Sequence, residues 1–339
     1  MEPLALNDAR RIALLWIGRL GDFLVATPFL RALRRRFPGA EVTVIVGERG
    51  REAAALCPEV DEIRVLGKLH APLANLHLAA TLAAGCYDLL VDLNTAFSRS
   101  SAAVAWLTQA RVKLGFRKAA GNRLFTHLVQ APETAEHMLD RYGRLAAAID
   151  APYEPLMSVR VPEPEGARGR AAVREALARA APGARPVLIH PGNFQKFENR
   201  WPEDRFAALT DRLLDDPAAA PVYLCGPGEE AQARAIVARL KRPVPMLAPM
   251  SLAALAGALT EAELLIVNAT GTAHLAAALG VPTLTFLGGY TKAVWMPRAG
   301  PHYSVVSASW ESCRDISVDA AWEALGSALK ELRAAKSAR

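Results

Sequence analysis

The pair Gly21-Asp22 follows an apolar run, Ile12 to Ile17, and precedes a helical pattern in which Ala26, Phe29, Leu30, Leu33 and Phe37 share one side. A carboxylate at such a strand-to-helix turn would stand at the mouth of a ligand cleft. There it would act as a general base, taking the proton of a hydroxyl that attacks a sugar's anomeric carbon. Aspartate near a helix start is also a common cap, worth about 1 kcal/mol, and the spacing does not choose between the two. Gly21 is expected to let the backbone turn sharply or approach a ligand closely. Gly18-Arg19-Leu20-Gly21 lacks the G-x-G-x-x-G order of a dinucleotide loop, which argues against a dinucleotide-dependent oxidoreductase.

The second half carries residues suited to a diphosphate. A strand-like run ends in His190-Pro191-Gly192-Asn193, and a polar loop with Lys196 and Arg200 leads to Trp201-Pro202-Glu203, the composition of a helix's first turn. Basic residues between a strand end and a helix start can hold phosphate oxygens. Cys225-Gly226-Pro227-Gly228-Glu229 offers glycines for close approach and a carboxylate for the two hydroxyls of a ribose. Asn268-Ala269-Thr270-Gly271-Thr272-Ala273-His274 opens a short helix with small residues, exposed amides and a histidine one turn in, a seat for a leaving diphosphate. Asp92, Asn94 and Arg99 are candidates for an acceptor side, although ordinary loop polarity accounts for them equally well.

These residues must be positioned by strands and crossover helices, because apolar, β-branched runs alternate with helical patterns throughout. Strands are expected at Ile12–Ile17, Val42–Val46, Glu62–Val65, Leu89–Asp92 and near Arg111–Gly115, then at Val187–His190, Val222–Cys225, Val244–Leu247, Leu264–Val267 and Thr283–Phe286. The proline-rich stretch Ala151 to Arg170 reads as a linker. The class is α/β, with two doubly wound domains whose strand ends face a common cleft. Residues 1–160 would form the first domain and 161–317 the second. A helix over 318–339, with Ala321, Leu325, Leu329 and Leu332 on one face, would pack back across the domains or serve as a simple core helix.

The 339 residues and 52% hydrophobic content suffice for two cores. Cys57, Cys86, Cys225 and Cys313 lie far apart, with no CxxC pair, so neither a zinc site nor a disulfide framework is expected and a reducing cytoplasm fits best. The most apolar stretch, Ala71 to Tyr87, is broken by Asn75 and His77 and is shorter than the roughly 20 residues of a membrane span. A net charge of +6 favours anionic partners. No basic stripe with interleaved aromatics argues for nucleic acid. Arg31, Arg34, Arg35 and Arg36 would be either a solvated face or a patch for an acidic membrane surface or a phosphorylated lipid acceptor.

From about Arg11 to Ser307 the chain resembles the inverting ADP-heptose heptosyltransferase family. The landmarks are Arg19 to Pro28, Tyr87-Asp88 with Val91-Asp92-Leu93, His190-Pro191-Gly192, Arg200-Trp201-Pro202, Met250-Ser251-Leu252 and Gly271 to Pro282. The resemblance implies a GT-B fold of two Rossmann-like domains, the first binding acceptor and the second binding a nucleotide-sugar donor. It implies Asp22 as base and a donor site of His190, Gly192, Lys196, Arg200, Gly226, Glu229, Met250, Thr270, Gly271, Thr272 and His274, with Met250 against adenine. The acceptor side would comprise Arg19, Gly21, Asn94 and Arg99. The implied reaction transfers heptose from ADP-heptose to a lipopolysaccharide-core or related saccharide by inverting single displacement, without cofactor or metal; no Asp-x-Asp motif occurs. A lipid-linked or oligosaccharide acceptor would place the protein in the cytoplasm, with peripheral contact on the inner membrane as one option. Where the family usually carries aspartate before its last glycine turn, this chain has Ala269, and where it carries lysine near Trp-Pro, this chain has Asn199. Those departures leave open another nucleotide sugar, another acceptor, or a non-catalytic nucleotide-sugar-binding protein.

Overall fold

A computed structural model describes residue 6 and residues 8–67, 72–130, 133–193 and 197–337. The chain divides into two compact units, Met1–Arg160 and Val161–Arg339, each with a Rossmann-like parallel sheet. The first runs β1 (Arg11–Trp16), α1 (Leu20–Leu24), α2 (Thr27–Arg36), β2 (Glu41–Gly47), α3 (Arg51–Ala55), β3 (Glu62–Leu66), α4 (Pro72–Ala84), β4 (Tyr87–Asp92), α5 (Arg99–Leu107), β5 (Ala110–Phe116), β6 (His127–Val129) and α6 (Met138–Ala148). Its strand order is β3-β2-β1-β4-β5-β6, parallel throughout. Every residue from Ile12 to Trp16 is buried, so β1 is covered on both faces and shows no polar alternation. The strand order reverses between β1 and β4, and ligands of such sheets bind where the loops leave that switch point.

All five strands expected in this half are present, with ends moved by one or two residues. The unexpected β6 has three residues and pairs only with β5, too short a run for a periodic signal. The α2 arginines are neither a solvated face nor a free basic patch. Arg34 pairs with Asp61 at 2.6 Å and donates to the Ala40 and Glu59 carbonyls. Arg31 donates to the Leu156 carbonyl at 2.6 Å, Arg35 pairs with Glu154 at 2.9 Å, and Arg36 reaches the Leu6 carbonyl at 3.0 Å. Arg31, Arg35 and Arg36 fasten the terminal segments of the unit to α2, and Arg34 ties α2 to the approaches of β2 and β3. Ala71, at the start of the most apolar stretch, lies outside the described residues.

The second unit runs α7 (Glu165–Ala180), β7 (Arg185–His190), α8 (Glu203–Leu213), β8 (Ala219–Tyr223), α9 (Glu230–Val237), α10 (Leu252–Thr260), β9 (Leu264–Asn268), α11 (Gly271–Ala278), β10 (Thr283–Leu287), α12 (Gly289–Trp295), β11 (His302–Val306) and α13 (Val318–Ser337). The order is β11-β10-β9-β7-β8, again parallel, with its reversal between β7 and β9. The expected strand at Val244–Leu247 is not formed. Pro243 and Pro245 have no N–H to give a ladder, and the segment makes one bridge, Tyr223 to Met246, beside β8. The expected linker is shorter than Ala151 to Arg170, because Glu165 already begins α7. β11 was not anticipated among its flanking glycine and prolines.

The core of this unit centres on Trp201, fully buried, stacked on Phe286 at 4.0 Å and held by a bond from its ring nitrogen to the Ile316 carbonyl. α13 is a core helix: Ala321, Leu325, Ala328 and Leu329 are buried with Trp201, Phe286 and residues of α8, and Arg333 pairs with Asp216 and Glu263. On the other flank, α7 and α10 meet backbone to backbone. A Cβ on Gly169 would lie 1.8 Å from the Ala254 carbonyl oxygen, and one on Gly257 would lie 2.1 Å from that of Gly166. Gly169→Ala should therefore destabilise the second unit by about 3 kcal/mol in denaturant unfolding, since overpacking cannot relax against backbone. Gly326→Ala, at an exposed position of α13 with open space for its Cβ, should instead stabilise by about 0.5–1 kcal/mol.

Candidate functional site

In the first unit the functional candidates sit on the loops leaving β1 and β4. The N-cap of α1 is Arg19, so Asp22 is the third helical residue, half-buried, and does not occupy the capping position. Gly21 is buried inside α1 without a positive φ, so it is not the turn residue that was expected. The glycine the turn requires is Gly18, where a Cβ would meet the Trp16 ring at 2.6 Å. Arg19 is exposed at this turn, and Arg99 is exposed at the start of α5, whose N-cap Ser98 accepts from the Ser101 amide.

Asn94 is not a free acceptor ligand. It is buried, its side-chain oxygen accepts from the Ile17 amide at 3.1 Å, and its Nδ2 donates to Asp92 at 2.6 Å and to the Leu15 carbonyl at 3.3 Å. Its donors are committed to joining β4 to the exit of β1. Asp92 in turn forms a buried ion pair with Lys118 at 2.6 Å, a partner 26 residues away with no motif to announce it. The fully buried Tyr142 of α6 also went unnoticed. Its hydroxyl has no hydrogen-bond partner. Burial first, then the nearby Asp22, Tyr153 and Asp92, push it far above the usual phenol range.

In the second unit the rim at the β7 and β9 ends gathers most of the expected donor residues. Asn268, fully buried, accepts from the Trp201 amide and donates to the Pro191 and Gly192 carbonyls, each at 3.0 Å. Asn193, in the left-handed region at φ 84°, donates to the Asn199 carbonyl at 3.0 Å, and Asn199 accepts from Thr291 at 3.2 Å, so Asn199 is a strut of the loop. α11 starts at Gly271 behind Thr270, whose side chain makes no cap bond. Among the described residues, the buried Thr270 Oγ1 and His190 Nδ1 have no hydrogen-bond partner. Thr272 and His274 are buried in the first turns of α11, with the His274 ring 6.2 Å from that of Trp295.

Glu229, at the head of α9, turns its carboxylate back onto the protein. It meets His190 Nε2 at 3.1 Å, the Gly226 amide at 2.9 Å and the Asn193 amide at 3.4 Å. A Cβ on Gly192 would come within 2.9 Å of both His190 and Glu229, and one on Gly226 within 2.8 Å of Glu229. Both glycines therefore make room for the His190–Glu229 pair. Burial alone would raise the Glu229 pKa, but the His190 ring and the two amides outweigh it and lower the pKa below 4.5. Arg200 lies 3.8 Å from Glu203 and 5.7 Å from the Phe197 ring centre. Met250 is half-buried just before Ser251, the N-cap of α10. Lys196 lies outside the described residues. An open cavity of about 690 Å³ lies between α7 and residues 243–247 and includes none of these side chains.

Lys118→Met should cost about 3–5 kcal/mol, because it strands the buried Asp92 charge; the double variant with Asp92→Asn should recover most of that in thermal unfolding. For Glu229 the lowered folded pKa means that its stabilisation is full above pH 4.5 and is lost as pH falls through the folded value. Acid unfolding followed between pH 5 and 3 should accordingly be less steep in Glu229→Gln.

A model of glycosyltransferase family 9 (heptosyltransferase) matches residues 75–318. Lipopolysaccharide heptosyltransferase 1 of Pseudomonas aeruginosa is 28% identical over 296 residues, which cover 82% of this chain and 78% of that protein. A family 9 glycosyltransferase structure from Veillonella parvula has a TM-score of 0.82 at 21% identity, covering 96% of this chain and 98% of its own. Escherichia coli ADP-heptose lipopolysaccharide heptosyltransferase II has a TM-score of 0.78 at 21% identity, covering 95% and 99%. The structural likenesses speak for the fold, and the family match, which spans most of the sequence, speaks for descent: the chain belongs to glycosyltransferase family 9, the heptosyltransferase family.

Proposed function

We propose that this glycosyltransferase moves a heptose from ADP-heptose to a lipopolysaccharide-core or related saccharide by inverting single displacement, the first unit taking the acceptor and the second the donor. The observation that carries the reading is the β7/β9 switch point, where α11 starts behind Thr270 and where Thr270 Oγ1 and His190 Nδ1 are without hydrogen-bond partners among the described residues. Amides and unpaired polar atoms at a helix start suit a diphosphate. The donor and acceptor class is supported by a fold neighbour named for ADP-heptose and lipopolysaccharide.

In this reaction Asp22 takes the proton of the acceptor hydroxyl as its oxygen bonds to the anomeric carbon. The bond from that carbon to the diphosphate breaks, ADP departs with the electron pair, and the configuration inverts. The α11 amides with Arg200 and Lys196 meet the charge that grows on the diphosphate, and such preorganised donors are the largest source of stabilisation in many enzymes. Glu229 keeps capacity for ribose on Oε1, which among the described residues accepts only from the Asn193 amide at 3.4 Å, and Met250 packs on the base. Arg19 and Arg99 flank the acceptor side. A lipid-linked acceptor brings peripheral contact with the cytoplasmic face of the inner membrane into the same proposal; no helix among the described residues is long and apolar enough to cross a bilayer.

A second reading, a different nucleotide sugar, is favoured by the turn Ala269-Thr270-Gly271-Thr272, which offers no carboxylate to sugar hydroxyls. Calorimetric titration with ADP, UDP, GDP and ADP-heptose in chelator separates the two: ADP selectivity with a further gain from heptose supports the first. Asp22→Asn should lower kcat by about 10²–10⁴-fold and leave the ADP-heptose Kd unchanged, while chelator should leave the wild-type rate intact. An unaltered rate in Asp22→Asn, or a magnesium requirement, contradicts the mechanism.

A further inference from the structure

We infer that Tyr290 and Trp310 form a stacking platform for a pyranose ring beside the α11 seat, an inference that rests on the diphosphate reading of that seat. Among the described residues, the large hydrophobic side chains that the second unit exposes are Phe197 at 56%, Tyr290 at 37% and Trp310 at 52%. Tyr290 and Trp310 meet each other, and the segment of Phe197 lies against residues 312–314, just beyond Trp310. The Tyr290 and Trp310 rings are 6.1 Å apart and near perpendicular, and the Tyr290 amide donates to the Trp310 carbonyl at 2.8 Å. Phe197 lies under the Arg314 guanidinium at 3.7 Å, and the Cys313 amide donates to the Glu198 carbonyl at 3.0 Å. Exposed aromatic area is unfavourable unless something covers it.

The arrangement is built rather than loose. A Cβ on Gly289 would meet the Trp310 ring at 2.7 Å, and one on Gly288 would meet the Glu311 and Ser312 backbone at 3.0–3.2 Å. Both glycines thus let residues 309–312 lie against the start of α12 and hold the indole in place. The location is equally specific. β10 and β11 end together, Leu287 beside Val306, on the same side of the parallel sheet as Asn268 and α11. With strands about 4.8 Å apart, β11 ends roughly 10 Å from β9. Glu229 and Met250 lie toward the opposite, β8 edge, so a nucleoside held there and a diphosphate on α11 direct the next group toward the aromatic pair. Aromatic rings accept the apolar face of a sugar, and the Tyr hydroxyl and indole N–H supply polar edges. With no carboxylate on residues 269–272, ring-face contact is the recognition this rim offers. The pyranose is either the transferred sugar or the acceptor's terminal one.

The test is the Trp310 emission, taken as wild type minus Trp310→Phe, during titration with ADP, with ADP-heptose, and with a lipopolysaccharide-core oligosaccharide in the presence of ADP. ADP alone should leave it unchanged. A change with ADP-heptose assigns the platform to the transferred sugar, and a change only with the oligosaccharide assigns it to the acceptor. In either case Trp310→Ala should weaken that ligand about tenfold and leave ADP affinity as in wild type. If ADP binds but neither sugar ligand alters the emission, the platform is overturned while the donor reading stands. If ADP itself fails to bind the wild type, both fall. Emission that responds only to an added protein assigns the pair to a protein interface and overturns the proposal.

Discussion

One buried asparagine amide in each unit makes the switch point possible. Where two parallel strands part at their carboxyl ends, the backbone leaves the ladder, and its N–H and C=O groups need other partners. Asn94 serves the exit of β1, bonding Ile17 and Leu15, and Asn268 serves the exit of β7, bonding Pro191, Gly192 and Trp201. Asn94 lies two residues beyond the end of β4 and Asn268 is the last residue of β9, the neighbouring strand across the reversal in each unit. The turn that leads into α1 and Asp22 in one unit and the His190 to Asn193 turn in the other are thus fixed by side-chain amides bonded to backbone groups. Leaving such groups unpaired would cost about 1–3 kcal/mol each.

The fold was legible where burial makes sequence continuous. Strands such as β1 and β9, covered on both faces, read as unbroken apolar runs, and nearly all of them could be placed. The failures share a cause: β6 is three residues long, β11 lies among glycine and prolines, and 244–247 is apolar but has prolines where a ladder needs N–H groups. Pairing in those places depends on a neighbour that a local window does not contain. The arginines of α2 show the same limit, since their partners Glu59, Asp61, Glu154 and Leu156 are distant in sequence.

At the candidate sites, residue type was easier to read than residue task. Gly226 stood out as a place for close ligand approach and Gly192 as a donor residue by resemblance, yet the atoms they admit belong to His190 and Glu229. Asn94 stood out as a polar loop residue, yet its amide is committed to the backbone. Lys118 and Tyr142 carried no signal, because a lone lysine or tyrosine gains meaning only from the buried carboxylates that the fold brings near it. The helix start behind Thr270 was readable because helix geometry is local and a short segment encodes it by itself.

The contact of α7 with α10 through Gly166, Gly169 and Gly257 has a consequence for how the β8 edge of the second unit can diverge. α10 begins two residues after Met250, behind the Ser251 cap, and its axis cannot slide or rotate without driving backbone into backbone. The segment that presents Met250 is therefore mounted on a fixed support. Lineages that share this helix pair can alter the surface offered there by exchanging the side chain at position 250, or by changing the length of the approach from 243, but not by shifting the helix behind it.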